Sequence, residues 1–395
     1  MIYRENRNIK LIYCSSIFRS AWFWLGIWIY YYLRFTNYAG IGMLETVLMI
    51  ASVFSAIPSG AITDLVGKRT AIICALILEV IGLVMMGLAP NLFVLTLSII
   101  ILNVADPLYG SSRTALAFDS LLEKGQESHF KQAISNINTI QLFIPALAGA
   151  LGGFLYSLSP QLPFLAAAGF DFIALTVSFF LKEPAIDSDQ FSVGRFLHQT
   201  KSGFRQLAKT NEVFMVTIVI VIISLATVIS YQSLDSYLAV EMGFSQKQIG
   251  LLWSIIFLIA AAASQLTSYF LKKLSVTRAI ALTGVVICTS LILSPWSGML
   301  FEVLLLTLRA SLTAIFNNLS SVAINQQTPS RYRATTLSTL EMLKNLPYLL
   351  TAFVVGAATD RYSAKSVALV LGTLVLMGIL VWQQVKNRQE KAPTA

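Results

Sequence analysis

Charged residues are scarce in this chain: they make up 12% of its 395 residues, while 56% are hydrophobic. Soluble domains carry about 25% charged residues, so the composition excludes an ordinary soluble domain and indicates a polytopic membrane protein. The only two histidines, His129 and His198, lie in polar segments, which excludes a histidine proton relay inside the membrane. The three cysteines lie inside or at the edge of apolar runs, so we expect neither a disulfide framework nor a metal site.

Motifs of membrane enzymes are also missing. The sequence contains no H-E-x-x-H pair and no G-x-S-x-G elbow. We therefore expect a protein that is not an enzyme and that binds no cofactor.

Long apolar runs are the main feature of the sequence. About twenty apolar residues cross the hydrocarbon core of a bilayer, and twelve stretches have this length. Only the connection 182–212 is long and polar, so we predict two pseudo-symmetric six-helix bundles, 1–181 and 213–395, joined by a central cytoplasmic loop. The predicted spans of this all-α membrane protein are 11–33, 41–62, 70–89, 92–117, 134–157, 161–181, 213–239, 246–271, 278–296, 299–322, 335–358 and 364–384.

Cations are distributed unevenly between the predicted loops. With the N-terminus inside, 20 of the 28 lysines and arginines lie in inner segments and 4 in outer segments. By the positive-inside rule, both termini are predicted to be cytoplasmic. The net charge of +9 is then an insertion signal, and we expect no nucleic-acid partner. A bacterial inner-membrane location and a monomer are our working expectations.

One inner loop carries a charged motif between two apolar runs. The stretch 60–70 reads G-x-x-x-D-x-x-G-K-R-T and contains Gly60, Asp64, Gly67, Lys68 and Arg69. Two glycines allow close helix approach and positive φ angles, which suits a tight turn. The pattern resembles the loop signature of the major facilitator superfamily, and the twelve spans and paired halves extend the resemblance over nearly the whole chain.

The resemblance implies an alternating-access transporter whose signature residues hold the two halves together at the inner face. In that family the aspartate meets the start of the eleventh span and the arginine meets an acid at the inner end of the fourth. By resemblance, Asp64 and Arg69 take those parts, with Asp119 as the acid and Arg113 as a nearby cation.

Three charges lie deep in predicted spans. Arg19, Asp106 and Arg309 fall in spans one, four and ten, where a charge costs roughly 2.5–3.5 kcal/mol on insertion scales and is a functional candidate. The resemblance implies that spans one, four, seven and ten line a central cavity. We predict that the three charges form one cluster there, with Asp106 as the proton site. The alternative is that they only hold helices together.

Other polar residues fit a wet cavity wall. They include Tyr231 and Asp235 in span seven and Asn317 in span ten. Trp24 belongs to a tryptophan-rich stretch that either stacks on a flat apolar substrate or packs against lipid. Glu79 and Asp171 are expected to serve packing or an unknown pairing. Glu341 and Lys344, three residues apart on one helix, predict a local ion pair, with a substrate role as the alternative.

The preferred function is export of a small, partly apolar molecule in exchange for protons. Span five keeps only the final glycine pair, Gly152-Gly153, of a motif that resembles the antiporter signature. The tryptophans favour export, whereas the polar stretch of span seven favours the alternative, proton-linked uptake of a polar metabolite. The expected partners are a small-molecule substrate, protons and the lipid bilayer.

Overall fold

The structure, a computed structural model, describes residues 6–185, 193–329 and 332–391. Within these ranges the regular structure is helical, without strands. Arg4, Arg331 and part of the predicted loop 182–212 lie outside the described residues. The α-helices are α1 (Arg7–Arg19), α2 (Trp28–Tyr32), α3 (Tyr38–Val66), α4 (Lys68–Gly87), α5 (Leu92–Leu122), α6 (Phe130–Leu158), α7 (Leu162–Ser178), α8 (Val193–Leu207), α9 (Asn211–Ile229), α10 (Asp235–Glu241), α11 (Gln246–Ser264), α12 (Thr267–Lys273), α13 (Val276–Leu293), α14 (Met299–Gln327), α15 (Arg333–Arg361) and α16 (Ala364–Lys391).

Among the described residues, ten helical segments are long and apolar enough to cross a membrane. The all-α membrane fold is thereby confirmed. Two of the twelve predicted spans fall short of this length. The sixth is α7, a 17-residue apolar helix, and the first consists of α1 and α2 separated by turns.

The chain divides into two units. Within unit 1, the apolar faces of α1, α4, α5, α6 and α7 form one core, because their buried residues recur at helical spacing. Within unit 2, α13 packs on α14 and α16, and α9 packs on α15 and α16. Unit 1 comprises the described parts of Met1–Thr36, Met43–Phe196 and Ser245–Ile255, and unit 2 those of Asn37–Gly42, Leu197–Phe244 and Ile256–Ala395.

Glycines accommodate the interruption of the first predicted span. The run 11–33 contains no proline, yet the helix ends at Arg19 and resumes only at Trp28. Gly26 has a φ angle of +80°, a conformation that favours glycine. Gly152 of α6 lies so close to the Phe23 carbonyl that a Cβ at position 152 would overlap it. The interruption is therefore packed against a helix that leaves room only for glycine.

Candidate functional site

Arg19 lies in the last turn of α1, where the interruption begins. A cation at this end of a helix is favoured by the helix dipole. The Arg19 side chain is buried, and its guanidinium lies 4.1 Å from the ring centroid of Tyr109 on α5. Such a buried charge requires partners, which α4 and α5 supply.

Two carboxylates flank the Arg19 guanidinium, and we call Arg19, Glu79 and Asp106 the Arg19 group. Nε of Arg19 donates to Oε1 and Oε2 of Glu79 at 3.0 and 2.8 Å. Nη2 donates to Glu79 Oε1 at 2.5 Å and to Asp106 Oδ1 at 2.6 Å. The predicted proximity of Arg19 and Asp106 is therefore seen in the structure, with Glu79 as an additional member.

The two carboxylates of the Arg19 group differ in exposure. The side chain of Asp106 is 66% exposed, whereas that of Glu79 is 6% exposed. Glu79 thus neutralises Arg19 inside the unit, while Asp106 is the exposed carboxylate of the group.

Glu79 was expected to serve packing or an unknown pairing, and the structure identifies its partner as Arg19. The sequence does contain a sign that Glu79 faces inward, because it continues the buried stripe of α4 formed by Ala75 and Leu76. Asp171 on α7, for which the expectation was the same, is buried and interacts electrostatically with Glu79 and Arg19.

Unit 2 contains a second group of the same composition, Arg309, Asp235 and Glu302, which we call the Arg309 group. Nε of Arg309 donates to Asp235 Oδ1 at 2.9 Å, and Nη2 donates to Glu302 Oε1 at 2.7 Å. Ser294 accepts from Nη1 at 3.2 Å, and Ser297 donates to Glu302 Oε2 at 2.6 Å. All three charged side chains are at most 5% exposed.

These contacts correct two predictions. Arg309 was grouped with Arg19 and Asp106, but its ion-pair partners are Asp235 and Glu302 of its own unit. Asp235 was placed on a wet cavity wall, but it is buried because its carboxylate turns toward Arg309. Tyr231, from the same stretch, is exposed, and its place on a cavity wall stays a prediction. Residues Ser230–Leu234 form a π-helical turn, which changes the helix faces presented before and after it.

Asn317 and Trp24 have distinct surroundings. Asn317 on α14 accepts a hydrogen bond from Lys344 Nζ at 2.8 Å, and the same ammonium binds Glu341, as the predicted ion pair requires. Trp24 lies in the interruption of span one, half-buried and stacked on Trp22 with ring centroids 5.5 Å apart.

The turn predicted within the 60–70 motif is one residue long. Helix α3 ends at Val66, Gly67 has a φ angle of +87°, and α4 begins at Lys68. Glu183 accepts hydrogen bonds from the backbone N–H groups of Lys68 and Arg69, both at 2.7 Å. This carboxylate therefore caps the positive end of α4.

Asp119 pairs with Lys68 and not with Arg69, which corrects the assignment drawn from the resemblance. Lys68 Nζ lies 2.7 Å from Asp119 Oδ2, and both side chains are buried. Arg69 instead donates to the carbonyl of Phe179 at the end of α7, at 2.8 Å. Adjacent residues of a helix point about 100° apart, so only one of the two cations faces α5.

Gly60 and Asp64 of the motif remain, together with the nearby cation Arg113. Gly60 lies within α3, and Asp64 is half-buried near its end. The contact predicted between Asp64 and the eleventh span stays a prediction. Arg113 lies over the ring of Tyr109 at 5.5 Å, the same ring that Arg19 contacts. It therefore borders the Arg19 group, although the resemblance assigned it to the inner-face motif.

A cavity of about 480 Å³ opens beside α1 and α6 within unit 1. Asn136 donates to the Tyr13 hydroxyl at 3.2 Å on its wall. Its lining combines polar and apolar side chains: Ile9, Lys10, Tyr13, Asn136, Thr139 and Ile140.

Comparisons with known proteins find one matching family model and several similar proteins. A family model described as Major Facilitator Superfamily matches residues 11–350. An uncharacterised MFS-type transporter, YxaM, of Bacillus subtilis (strain 168) is 21% identical over 372 residues, covering 90% of each chain. The crystal structure of the nucleoside transporter NupG is similar with a TM-score of 0.77 at 15% identity, over 96% of this chain and 98% of that chain. A POT family transporter in complex with 5-aminolevulinic acid gives 0.72 at 12% identity, over 97% and 96%.

Proposed function

Since the chain belongs to the major facilitator superfamily, we propose that it is a secondary transporter that exports a small, partly apolar molecule in exchange for protons. A multi-pass membrane transporter requires a site that exchanges its occupant with water. The observation that supports our proposal is the exposed carboxylate of Asp106, held by a buried arginine.

The Arg19 group is suited to bind and release a proton. With all three members ionised, it has one positive and two negative charges. A proton on Asp106 breaks one ion pair but leaves Arg19 bound to Glu79. No buried charge loses its last partner, so the exchange avoids the large penalty of an isolated buried ion.

The cargo is proposed to be partly apolar because aromatic surface follows the Arg19 group within the same unit. Trp22 and Trp24 stack on one another immediately after Arg19. The alternative is proton-linked uptake of a polar metabolite. The nucleoside transporter among the structural neighbours favours it.

The direction of proton movement relative to the cargo distinguishes export by exchange from proton-linked uptake. A ligand-stability screen over metabolites and drugs at two pH values first identifies the cargo. Cargo-dependent proton movement is then measured in vesicles of known orientation. Export by exchange predicts that cargo and protons move in opposite directions, and uptake predicts the same direction.

Replacing Asp106 with Asn tests the proton site. We expect cargo-driven proton movement to fall at least tenfold, because the amide carries no titratable proton, while the amount of folded protein is retained. Glu212→Gln, at an exposed carboxylate in the first turn of α9, is the matched control. Unchanged coupling in Asp106→Asn would reject Asp106 as the proton site.

We further propose that the 60–70 motif with Asp119 is an inner gate. Asp64→Asn or Arg69→Ala should abolish turnover while surface expression persists, because each removes a charge of the proposed gate. Given the structure, Lys68→Met should have the same effect through the loss of the Asp119 pair. Unchanged transport in all three variants would remove the gate assignment. A monomer in the bacterial inner membrane with both termini cytoplasmic completes the proposal.

A further inference from the structure

One helix of unit 2 carries an ion pair with one buried and one exposed member, and a second helix contacts the buried member. Lys344 Nζ on α15 binds Glu341 Oε1 and Oε2 at 2.8 and 3.0 Å and Asn317 Oδ1 on α14 at 2.8 Å. The side chain of Lys344 is 4% exposed and that of Glu341 is 53% exposed. The lysine thus anchors a carboxylate at the surface of the unit.

This carboxylate lies within a helical segment that is long and apolar enough to cross a membrane, Thr335–Arg361. Glu341 is eight residues from the start of α15, or roughly 12 Å along the helix. Ionised side chains at this depth rarely face acyl chains, and those that face water-filled space mark substrate paths. Ser338 and Glu341 are exposed and Asn345 is half-buried at helical spacing on α15. This polar stripe therefore borders water-accessible space.

The contacts around Lys344 determine which hydrogen-bonding atoms of Glu341 and Asn317 remain available to a ligand. An ammonium only donates hydrogen bonds, so the Asn317 amide oxygen must face it and the amide NH₂ points away. Among the described residues, this NH₂ donates to no partner. Glu341 supplies an acceptor and Asn317 supplies a donor. The three residues carry no net charge, because Lys344 neutralises Glu341.

We propose that Glu341 and Asn317 bind a hydroxyl group of an uncharged cargo molecule. A hydroxyl donates and accepts at once, which matches one carboxylate and one amide NH₂. A neutral set of side chains gives no advantage to a cationic or an anionic cargo. The inference rests on the proposed transport function and specifies the chemistry of its cargo.

Water access is tested first by thiol labelling of the full-length protein in vesicles. Cys14, Cys74 and Cys288 are replaced by Ser, and Ser338→Cys is introduced as a reporter that leaves Glu341 intact. Leu350→Cys is the matched control, because Leu350 is 71% exposed on the apolar side of the same helix. A water-soluble maleimide should label position 338 at least tenfold faster than position 350. Equally slow labelling would overturn the proposal.

Ligand chemistry is tested next with three probes on one aromatic body. Phenyl β-D-glucoside carries uncharged hydroxyls, phenyltrimethylammonium is a cation and phenyl phosphate is an anion. The glucoside should slow labelling of Ser338→Cys at least fivefold, and the two ions less than twofold. Equal protection by an ion, or no protection by the glucoside, would overturn the assignment.

Two added substitutions separate binding from folding. Glu341→Gln in the reporter background should abolish protection by the glucoside. Glu341→Gln with Lys344→Met should do the same without leaving a lone buried charge, and persistent protection in this double variant would reject the site. Proton movement through Asp106 is a separate readout. Intact Asp106-dependent coupling without glucoside protection rejects only this site, whereas protection without such coupling rejects only the proton proposal.

Discussion

Each unit holds one arginine between two carboxylates, and the two groups differ in the exposure of those carboxylates. In the Arg309 group all charged members are buried and two serines complete the hydrogen bonding. In the Arg19 group Asp106 is exposed. A sealed group stabilises one packing of helices, while an open one exchanges with solvent. The same three residue types thus favour a structural role in unit 2 and a transport role in unit 1.

The largest effect is expected from Arg309→Met. Asp235 and Glu302 would remain buried without a cation, and breaking a buried ion pair costs about 3–5 kcal/mol. We expect low yield and a large drop in the temperature of unfolding, measured by tryptophan fluorescence of the purified protein.

A neutral version of the same group is the control for that experiment. Arg309→Met combined with Asp235→Asn and Glu302→Gln leaves no buried charge, so most of the lost stability should return. A triple variant as unstable as Arg309→Met would contradict the role of charge balance in unit 2.

A smaller effect is expected from Glu79→Gln. Arg19 would lose its strongest partner but keep Asp106, so the cost should be about 1–3 kcal/mol, as for a charged hydrogen bond. The same unfolding measurement checks this prediction. A loss of stability equal to that of Arg309→Met would contradict the proposed difference between the two groups.

The smallest effect on stability is expected from Asp106→Asn. Exposed ion pairs contribute about 0–1 kcal/mol, so the free energy of unfolding should change by less than about 1 kcal/mol although proton coupling is lost. If this variant instead unfolds readily and couples normally when folded, Asp106 serves packing.

The sequence predicts the fold well because its main signal is the length of apolar runs. It also predicts that Arg19 and Asp106 meet, since unpaired charges inside a membrane are costly. It fails for Arg309, because assigning a residue to a cavity-lining span does not specify its helix face. The π-helical turn before Asp235 alters that face further, and nothing in the composition of Ser230–Leu234 signals it.

Two other differences between prediction and structure follow from how side chains and segments pack. Lys68 and Arg69 are neighbours, so pattern matching does not distinguish them, whereas the helix surface directs only Lys68 at Asp119. The first span contains no proline from which its interruption could be predicted. The interruption depends on packing between segments more than a hundred residues apart, which a reading of local sequence does not capture.

The contact between Gly152 and the Phe23 carbonyl makes position 152 a diagnostic position. A methyl group there has no space while the first span is interrupted. Relatives that carry alanine or a larger residue at the equivalent position must therefore reroute the chain around Phe23 or separate the two segments. Comparing that one position across natural variants would sort them by the shape of their first membrane segment.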